Sequence, residues 1–597
     1  MGSNNLDSEM EDIKKKFVEI KKLLEEQEPF DNEKEPYKSK YAAIKVFKEI
    51  QLKLDDLVNA TSEKKDDLIK MLAVVHLNLG ILHTDTEELK AGEEQFMSCL
   101  NLLKGKEMDV DCIIATLSAL NQLGIVWSHW SQPAKAKNFL DQAENLYKQF
   151  TDSTNSNQDP INMSKLFGIE DDELSPTEVL HKLHTLTLYY LAQIYGTLKD
   201  HHKSAQYCHM TLRRQLGDGS LQNLDHIDWA LNAATLSQYF MENEGFPQAR
   251  HHLAAASYLL QKYQESLEAK GGEDSNEAIA AEWETFRHRK ADVARCWAKY
   301  GILLLSMSKQ RLLQKAENES ESKKENSEKV TEKGNMNDLK FDVLEKDIEA
   351  IAEQITDKFL LDFNDARPVF LNTQKWLDDS KKYYSFDSHA SDYVQIAQDL
   401  SQAFKYLSFF EESDDRQAKM HKRRVDILEN VVKELSPQYY QDACRQIWIE
   451  LGETYSDILD IKLDRFRTTD ERPSAIALAK VNNLIKNAIR NFQLFLNSLK
   501  PEVTANGVEQ FSEDVLQPAL CAYFNLGRLY NKFITPDKSL QLENTINGIN
   551  AYKFIVDYCD KNPNAAEIMR TELNICRELA SLLPLKVQKL RQELTGS

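Results

Sequence analysis

Glycine and proline are scarce in this chain, at 19 and 14 residues of 597, against usual shares of about 7% and 5%. These residues break helices and build turns, so their scarcity excludes a collagenous chain and a turn-rich all-β fold. Cysteine is sparse too, with eight residues and no CxxC pair, which excludes the common structural-zinc and thioredoxin-type spacings. No run approaches the ~20 apolar residues of a membrane helix, and the first residues lack the apolar core of a secretory signal. The chain is therefore expected to be cytoplasmic and reduced, without membrane insertion. The sequons at Asn59, Asn162 and Asn318 are expected to be unused.

Positive charge is also in deficit: 74 Lys and Arg face 95 Asp and Glu, a net charge of −21. Such a surface repels nucleic acid and anionic lipid, and it attracts a basic protein face. Catalytic motifs are missing. There is no HExxH, P-loop or GxSxG, and the pairs His181/His184, His201/His202 and His251/His252 lack metal-ligand spacing. The GDG at 217–219 lacks the strand and third glycine of a dinucleotide site, and Asp171–Asp172 sits in a loop. The expectation is a non-enzyme with no cofactor and no metal.

Against these absences stands a repeat. LNLGILH (77–83), NQLGIVW (121–127), YYLAQIY (189–195) and ATLSQYF (234–240) each place a small residue three positions before an aromatic or His. A second small residue follows twelve positions after the first: Gly80 and Gly92, Gly124 and Ala136, Ala192 and Ser204, Ser237 and Ala249. Small residues there let two antiparallel helices approach closely, and the bulkier side chain seals the turn. This is the packing of the tetratricopeptide-type (TPR) hairpin, which stacks into solenoids that mostly bind proteins.

The predicted fold is an all-α, right-handed helical-hairpin (TPR-like) solenoid in two subdomains. Residues 10–27 and 38–58 read as helices, with Ile13, Phe17, Ile20 and Leu24 on one face of the first. Hairpins follow at about 65–105, 110–150, 178–217 and 227–265, which puts an N-terminal subdomain at 1–275. A long linker helix spans 276–313. Residues 314–338 carry almost no apolar side chains and are expected to be a disordered charged linker. A degenerate C-terminal TPR-like subdomain fills 339–597. There IELGETY (449–455) and YFNLGRLY (523–530) repeat the glycine-to-aromatic offset, with late partner helices near 476–499 and 541–560. Helices at 564–583 and 584–594, separated at Pro584, would cap the stack. The basic run HKRR (421–424) is read as a solvated helix face rather than a nuclear signal.

Many proteins of this type grip a carboxylate with Lys and Asn on first helices. Here the corresponding groove positions of the first hairpin are Leu77 and Ile81, which cannot do so. First helices line the concave face, where the third and fourth hairpins offer Tyr189, Tyr190, Gln193, Thr235 and Gln238, joined by Arg213, Arg214 and Gln215. Tyrosines with amide side chains suit an interface anchor. One tyrosine of the pair is expected to be core; Tyr189 is assigned that role and Tyr190 the surface.

Several blocks resemble the kinesin-binding protein family. They include NEKEPYKSKYAA (32–43), HTDTEELKAGEEQF (83–96), LYYLAQIY (188–195), YCHMTLRRQL (207–216) and DWALNAATLSQYF (228–240). KMHKRRVDILE (419–429), LSPQYY (435–440), EDVLQPAL (513–520), YKFIVDYC (552–559) and SLLPLKVQKLR (581–591) extend the resemblance across about 32–591. It implies a cytoskeleton-associated monomer whose partners are the motor domains of a subset of kinesins, with other cytoskeletal proteins as further candidates. The motors would be held by their microtubule-binding surface and kept off microtubules. Residue by residue, it implies that Tyr190, Gln193, Gln215 and Thr235 make that contact on the concave face. A general scaffold joining several cytosolic partners is the alternative.

Overall fold

The computed structural model describes the chain except residues 1–2, 32–34, 61–63, 153–158, 171–173, 218–223, 273–275, 321–338, 469–472, 500–501, 504–508 and 596–597. Packing divides the chain into two compact units, 1–239 with 335–347, and 240–334 with 348–597. The division thus falls at 239/240 rather than at 275, and a short segment beyond the charged stretch packs with the first unit.

The first unit begins with α1 (Ser3–Lys22) and α2 (Lys38–Ala60). Ile13 and Ile20 are buried and Phe17 packs edge-on to Phe47, as the periodicity predicted. Hairpins follow as α3 (Lys65–Asp85) with α4 (Leu89–Leu102), α5 (Ile113–His129) with α6 (Pro133–Asp152), and α7 (Pro176–Thr197) with α8 (His201–Gly217). Next in sequence come α9 (His226–Glu242), within which the division falls, and α10 (Phe246–Lys270), which belongs to the second unit. By length and composition α3 could cross a membrane, contrary to expectation, but 67% of its apolar window is buried within the fold.

The predicted twelve-residue contact is present. Ser204 donates its hydroxyl to the Ala192 carbonyl at 2.8 Å. A Cβ on Gly80 would lie 2.5 Å from the Phe96 ring, and one on Gly92 would lie 3.1 Å from the Gly80 carbonyl. Each turn is closed identically. Glu88, Gln132, Asp200 and Gly245 donate N–H to the carbonyls of His83, Trp127, Tyr195 and Phe240, the bulky residue of each repeat. One residue earlier, Glu87, Ser131, Lys199 and Glu244 adopt left-handed φ of 65°, 56°, 63° and 61° and donate to Thr84, Ser128, Gly196 and Met241. This is the Schellman closure, here built without glycine at the left-handed position.

The second unit continues with α11 (Glu277–Ser320); α12 (Glu345–Ala352) is divided at 347/348, and α13 (Phe363–Lys381), α14 (Ala390–Phe410) and α15 (Asp414–Glu434) follow in the second unit. Then come α16 (Gln441–Thr468), α17 (Ala475–Ser498), α18 (Glu513–Asn531), α19 (Lys538–Lys561), α20 (Pro563–Ile568) and α21 (Arg570–Thr595). A two-residue antiparallel strand pair joins Glu502–Val503 to Glu509–Gln510. The knobs persist despite the longer loops. A Cβ on Gly452 would meet the Phe492 ring at 2.8 Å, and one on Gly527 the Tyr552 ring at 2.6 Å. Gly548 faces the Gly527 carbonyl much as Gly92 faces that of Gly80.

Three expectations are corrected. Helix α11 runs through 314–320, the start of the segment expected to be disordered; the rest of that segment, 321–338, lies outside the described residues. Helix α21 passes through Pro584 unbroken, because Leu573, Cys576, Val587 and Leu590 are buried along it on both sides of the proline. The HKRR run is not one solvated face: Lys422 and Arg423 are exposed, but His421 and Arg424 are buried.

Candidate functional site

Helix α7 starts at a capping box. Ser175 Oγ accepts the Glu178 N–H at 3.2 Å, and Glu178 Oε2 accepts the Ser175 N–H at 2.8 Å. Its Leu180, Leu188, Leu191 and Ile194 are buried, while Lys182, Tyr189, Gln193 and Thr197 form an exposed stripe at i, i+7, i+11 and i+15. The assignment of the tyrosine pair reverses. Tyr189 is 46% exposed, four residues from Gln193. Tyr190 is half-buried against Ala136, Leu140, Leu191, Ile194 and Tyr195. Burial, and then the neighbouring Tyr189, push its hydroxyl above the usual tyrosine range. The pair meets edge to face at 5.3 Å, so the inner ring supports the outer one.

Gln215 stands exposed in the last turn of α8, and Thr235 is exposed on α9 with its hydroxyl donated to the Leu231 carbonyl at 2.8 Å. The two arginines before Gln215 are engaged elsewhere. Arg213 pairs with Asp342 at 2.6 Å, and Arg214 bonds the Tyr147 hydroxyl and His181 Nδ1. Gln238 is half-buried. Tyr190, Gln193, Gln215 and Thr235 therefore lie on three consecutive helices of the first unit, three exposed and one half-buried. At the first hairpin Leu77 is buried in the core, and only Ile81 of the two expected groove positions is partly accessible.

A buried polar layer fixes the register of α7. His184 Nε2 and Glu144 Oε2 are 2.5 Å apart, and the Tyr147 ring stacks on His184 at 3.6 Å. Asn121 donates to the Leu183 carbonyl at 2.9 Å and accepts the Thr187 hydroxyl at 2.8 Å. Burial alone would push the Glu144 carboxyl up, but hydrogen bonds from His184 and Lys148 hold it below the usual carboxylate range. Burial holds His184 below the usual imidazole range, partly offset by Glu144. His184 is thus a buried packing residue, stacked on Tyr147 and paired with Glu144.

Asp109, Asp111 and Cys112 bring three ligand atoms within 4.8 Å of one another. Lys70 Nζ sits 2.8 Å from Asp111, already supplying positive charge, and burial pushes the Cys112 thiol up to about 12. The set is a poor fit to a metal. Sequence reading missed a cleft of about 900 Å³ in the second unit, walled by Trp283, Phe286, Trp297, Trp376 and Tyr383. Trp283, Phe286 and Trp297 all stand on α11, but Trp376 and Tyr383 come from α13 and the turn after it, and that pairing of two helices is what no local pattern reveals.

Comparison with known proteins follows the same outline. A protein-family model described as KIF-1 binding protein C terminal matches residues 227–590. The chain is 37% identical over 575 residues to a KIF-binding protein of Gallus gallus, covering 93% of each. It is 38% identical over 540 residues to one of Homo sapiens, covering 88% of this chain and 84% of that one. With one of Drosophila melanogaster the identity is 33% over 600 residues, covering 98% of each. Among solved structures, a cryo-EM map of KIFBP aligns with a TM-score of 0.62 at 30% identity, covering 97% of this chain and 100% of that one. Of the four candidate residues only Thr235 falls inside the family-model match; the relatives' alignments are much longer.

Proposed function

Because the chain belongs to the KIF-binding protein family, we propose that it binds kinesins through their motor domains and keeps those motors off microtubules. It acts stoichiometrically, as a cytoplasmic, cytoskeleton-associated monomer, and without catalysis. The observation that carries this reading is the 37% identity spread over 93% of both chains with a protein named for KIF binding. Such coverage spans the whole solenoid rather than one repeat.

The contact is made by the exposed first-helix stripe of the third hairpin with its neighbours: Gln193 and the Tyr189–Tyr190 pair on α7, Gln215 on α8 and Thr235 on α9. Exposed amide and hydroxyl groups beside a ring held by a second ring give register and a rigid anchor. A kinesin's microtubule-binding surface is basic because tubulin is acidic, and this chain's charge of −21 complements it. The same basic surface cannot serve both partners at once, which makes binding inhibitory.

The test is capture of purified motor domains, followed by microtubule co-sedimentation at saturating protein. Motor should move from pellet to supernatant. Motor that stays on microtubules while bound to this protein would refute inhibition. Replacing Tyr190 and Gln215 together by Ala should weaken capture at least about tenfold, the loss of ~1.4 kcal/mol or more. Tyr190 is half-buried, so its replacement also costs stability; Tyr189→Ala with Gln193→Ala tests the same face with little packing loss. Full capture by both double variants would remove the site from this face.

A further inference from the structure

The segment just beyond the charged stretch is remote in sequence from α8 and α9, yet it is docked on both. Phe341 has no exposed surface. Its ring stacks on His209 of α8 at 4.8 Å and meets Trp229 of α9 at 5.1 Å. Trp229 in turn donates its indole N–H to the Leu212 carbonyl of α8 at 3.0 Å. On either side of this ring, Asp342 pairs with Arg213 at 2.6 Å and Leu339 lines a hollow with Tyr207 and Met210 of α8. Leu344 is buried one turn later. By packing, 335–347 belongs to the first unit although its flanks on both sides belong to the second.

A buried aromatic between two helices fixes their separation, because interiors pack too tightly to let either shift alone. The helices joined here carry Gln215, two residues after Arg213, and Thr235, six residues after Trp229. We propose that residues 339–347 are a strap, and that Phe341 is a positioning residue for motor capture: docked between α8 and α9, it holds the Gln215 turn and the Thr235 face at the spacing a motor requires. This rests on the function proposed above. The energy resides in the ring. The Arg213–Asp342 pair is more than half exposed on each side and contributes little beyond orientation.

Undocking the strap would leave α8 and α9 sampling several spacings, and apparent affinity falls by the fraction of time the competent spacing is populated. The test uses the full chain with two variants, Phe341→Ala, which empties the site, and Asp342→Arg, which faces Arg213 with like charge on the surface and leaves the core intact. Hydrogen exchange is followed in α8 and α9, and motor-domain affinity is measured beside it. Phe341→Ala should raise exchange in both helices and weaken capture about tenfold; Asp342→Arg should do both more mildly, about twofold. A peptide of residues 339–349 added in trans should restore capture by Phe341→Ala, which general destabilisation would not allow. Faster exchange with unchanged or tighter capture overturns the proposal, and so does unchanged exchange. A wild-type chain that captures no motor defeats the proposed function instead, while the exchange result still reads the strap.

Discussion

His421 and Arg424 show how a charged pair can be core. Arg424 has no exposed surface; its guanidinium reaches Asp457 at 3.2 Å, Glu450 at 3.4 Å and Ser401 Oγ at 3.2 Å. It also donates to His421 Nδ1 at 3.0 Å, leaving His421 Nε2 to donate to Ser408 Oγ at 3.3 Å. That arrangement needs a neutral imidazole, since a proton on Nδ1 would point at the guanidinium. Burial lowers His421 to about 4; Asp457 opposes this, while Arg424, Lys405 and Lys309 reinforce it. The unfolded chain therefore takes up this proton first as pH falls below ~6.5, and stability is lost between there and about 4. At ~1.4 kcal/mol per pH unit the ceiling is about 3 kcal/mol. Urea denaturation at pH 7.5 and pH 5 should show a drop of ~1–2 kcal/mol that His421→Gln largely abolishes. An equal drop in the variant would assign the loss to other groups. The sequence held part of this: 421, 424, 428, 431 and 435 follow helical spacing on one face. It could not show the counter-charges, because Glu450 and Asp457 lie on α16, a separate helix. The tyrosine pair of α7 failed to resolve for a similar reason. Adjacent residues differ by about 100° around a helix, and only α6 packing against Tyr190 shows which one turns inward.

At the scale of the element, the hairpins were legible because close approach demands small residues at fixed intervals. The intervals from Gly80 to Gly92 and from Ala192 to Ser204 are direct contacts. In the second half the signal thinned as loops lengthened, although Gly452 against Phe492 and Gly527 against Tyr552 keep the same packing. The turn chemistry stayed hidden. Glu87, Ser131, Lys199 and Glu244 each stand seven residues after the knob in a left-handed conformation that composition does not announce, since glycine is the usual occupant. For such residues that conformation costs roughly 1–2 kcal/mol. Lys199 is exposed, so its side chain adds little in return. Lys199→Gly should therefore stabilise the first unit by ~0.5–1 kcal/mol, after allowing for glycine's looser unfolded chain. Lys199→Val at the same place should destabilise, because a β-branched side chain suits positive φ poorly. Thermal melts of the two variants should bracket the parent. A glycine variant less stable than the parent would mean that the lysine side chain makes a contact that outweighs the strain.

For the whole molecule, two properties act together: hairpins that lean on their neighbours within each unit, and a large negative charge. Stability in such an array is a sum of near-neighbour terms, which is why a segment from beyond residue 334 could be recruited to α8 and α9 without any sign in local sequence. Long-range docking of this kind is what periodicity cannot report, and under the strap proposal it sets the spacing of the candidate face. Charge works at longer range. Under the proposed function, a basic motor surface would be drawn to a chain carrying −21 and meet it faster, whereas Tyr189, the amides of Gln193 and Gln215, and Thr235 would govern how long the complex lasts. Raising salt from about 50 to about 300 mM shortens the screening length from roughly 14 to 6 Å. Association with a motor domain in stopped flow should accordingly slow about tenfold or more, with dissociation changing less than about twofold. Tyr189→Ala with Gln193→Ala should do the reverse, speeding dissociation at nearly constant association rate. Were salt to act mainly on dissociation, charge would belong inside the contact rather than around it, and the polar-aromatic stripe would no longer account for the lifetime of the complex.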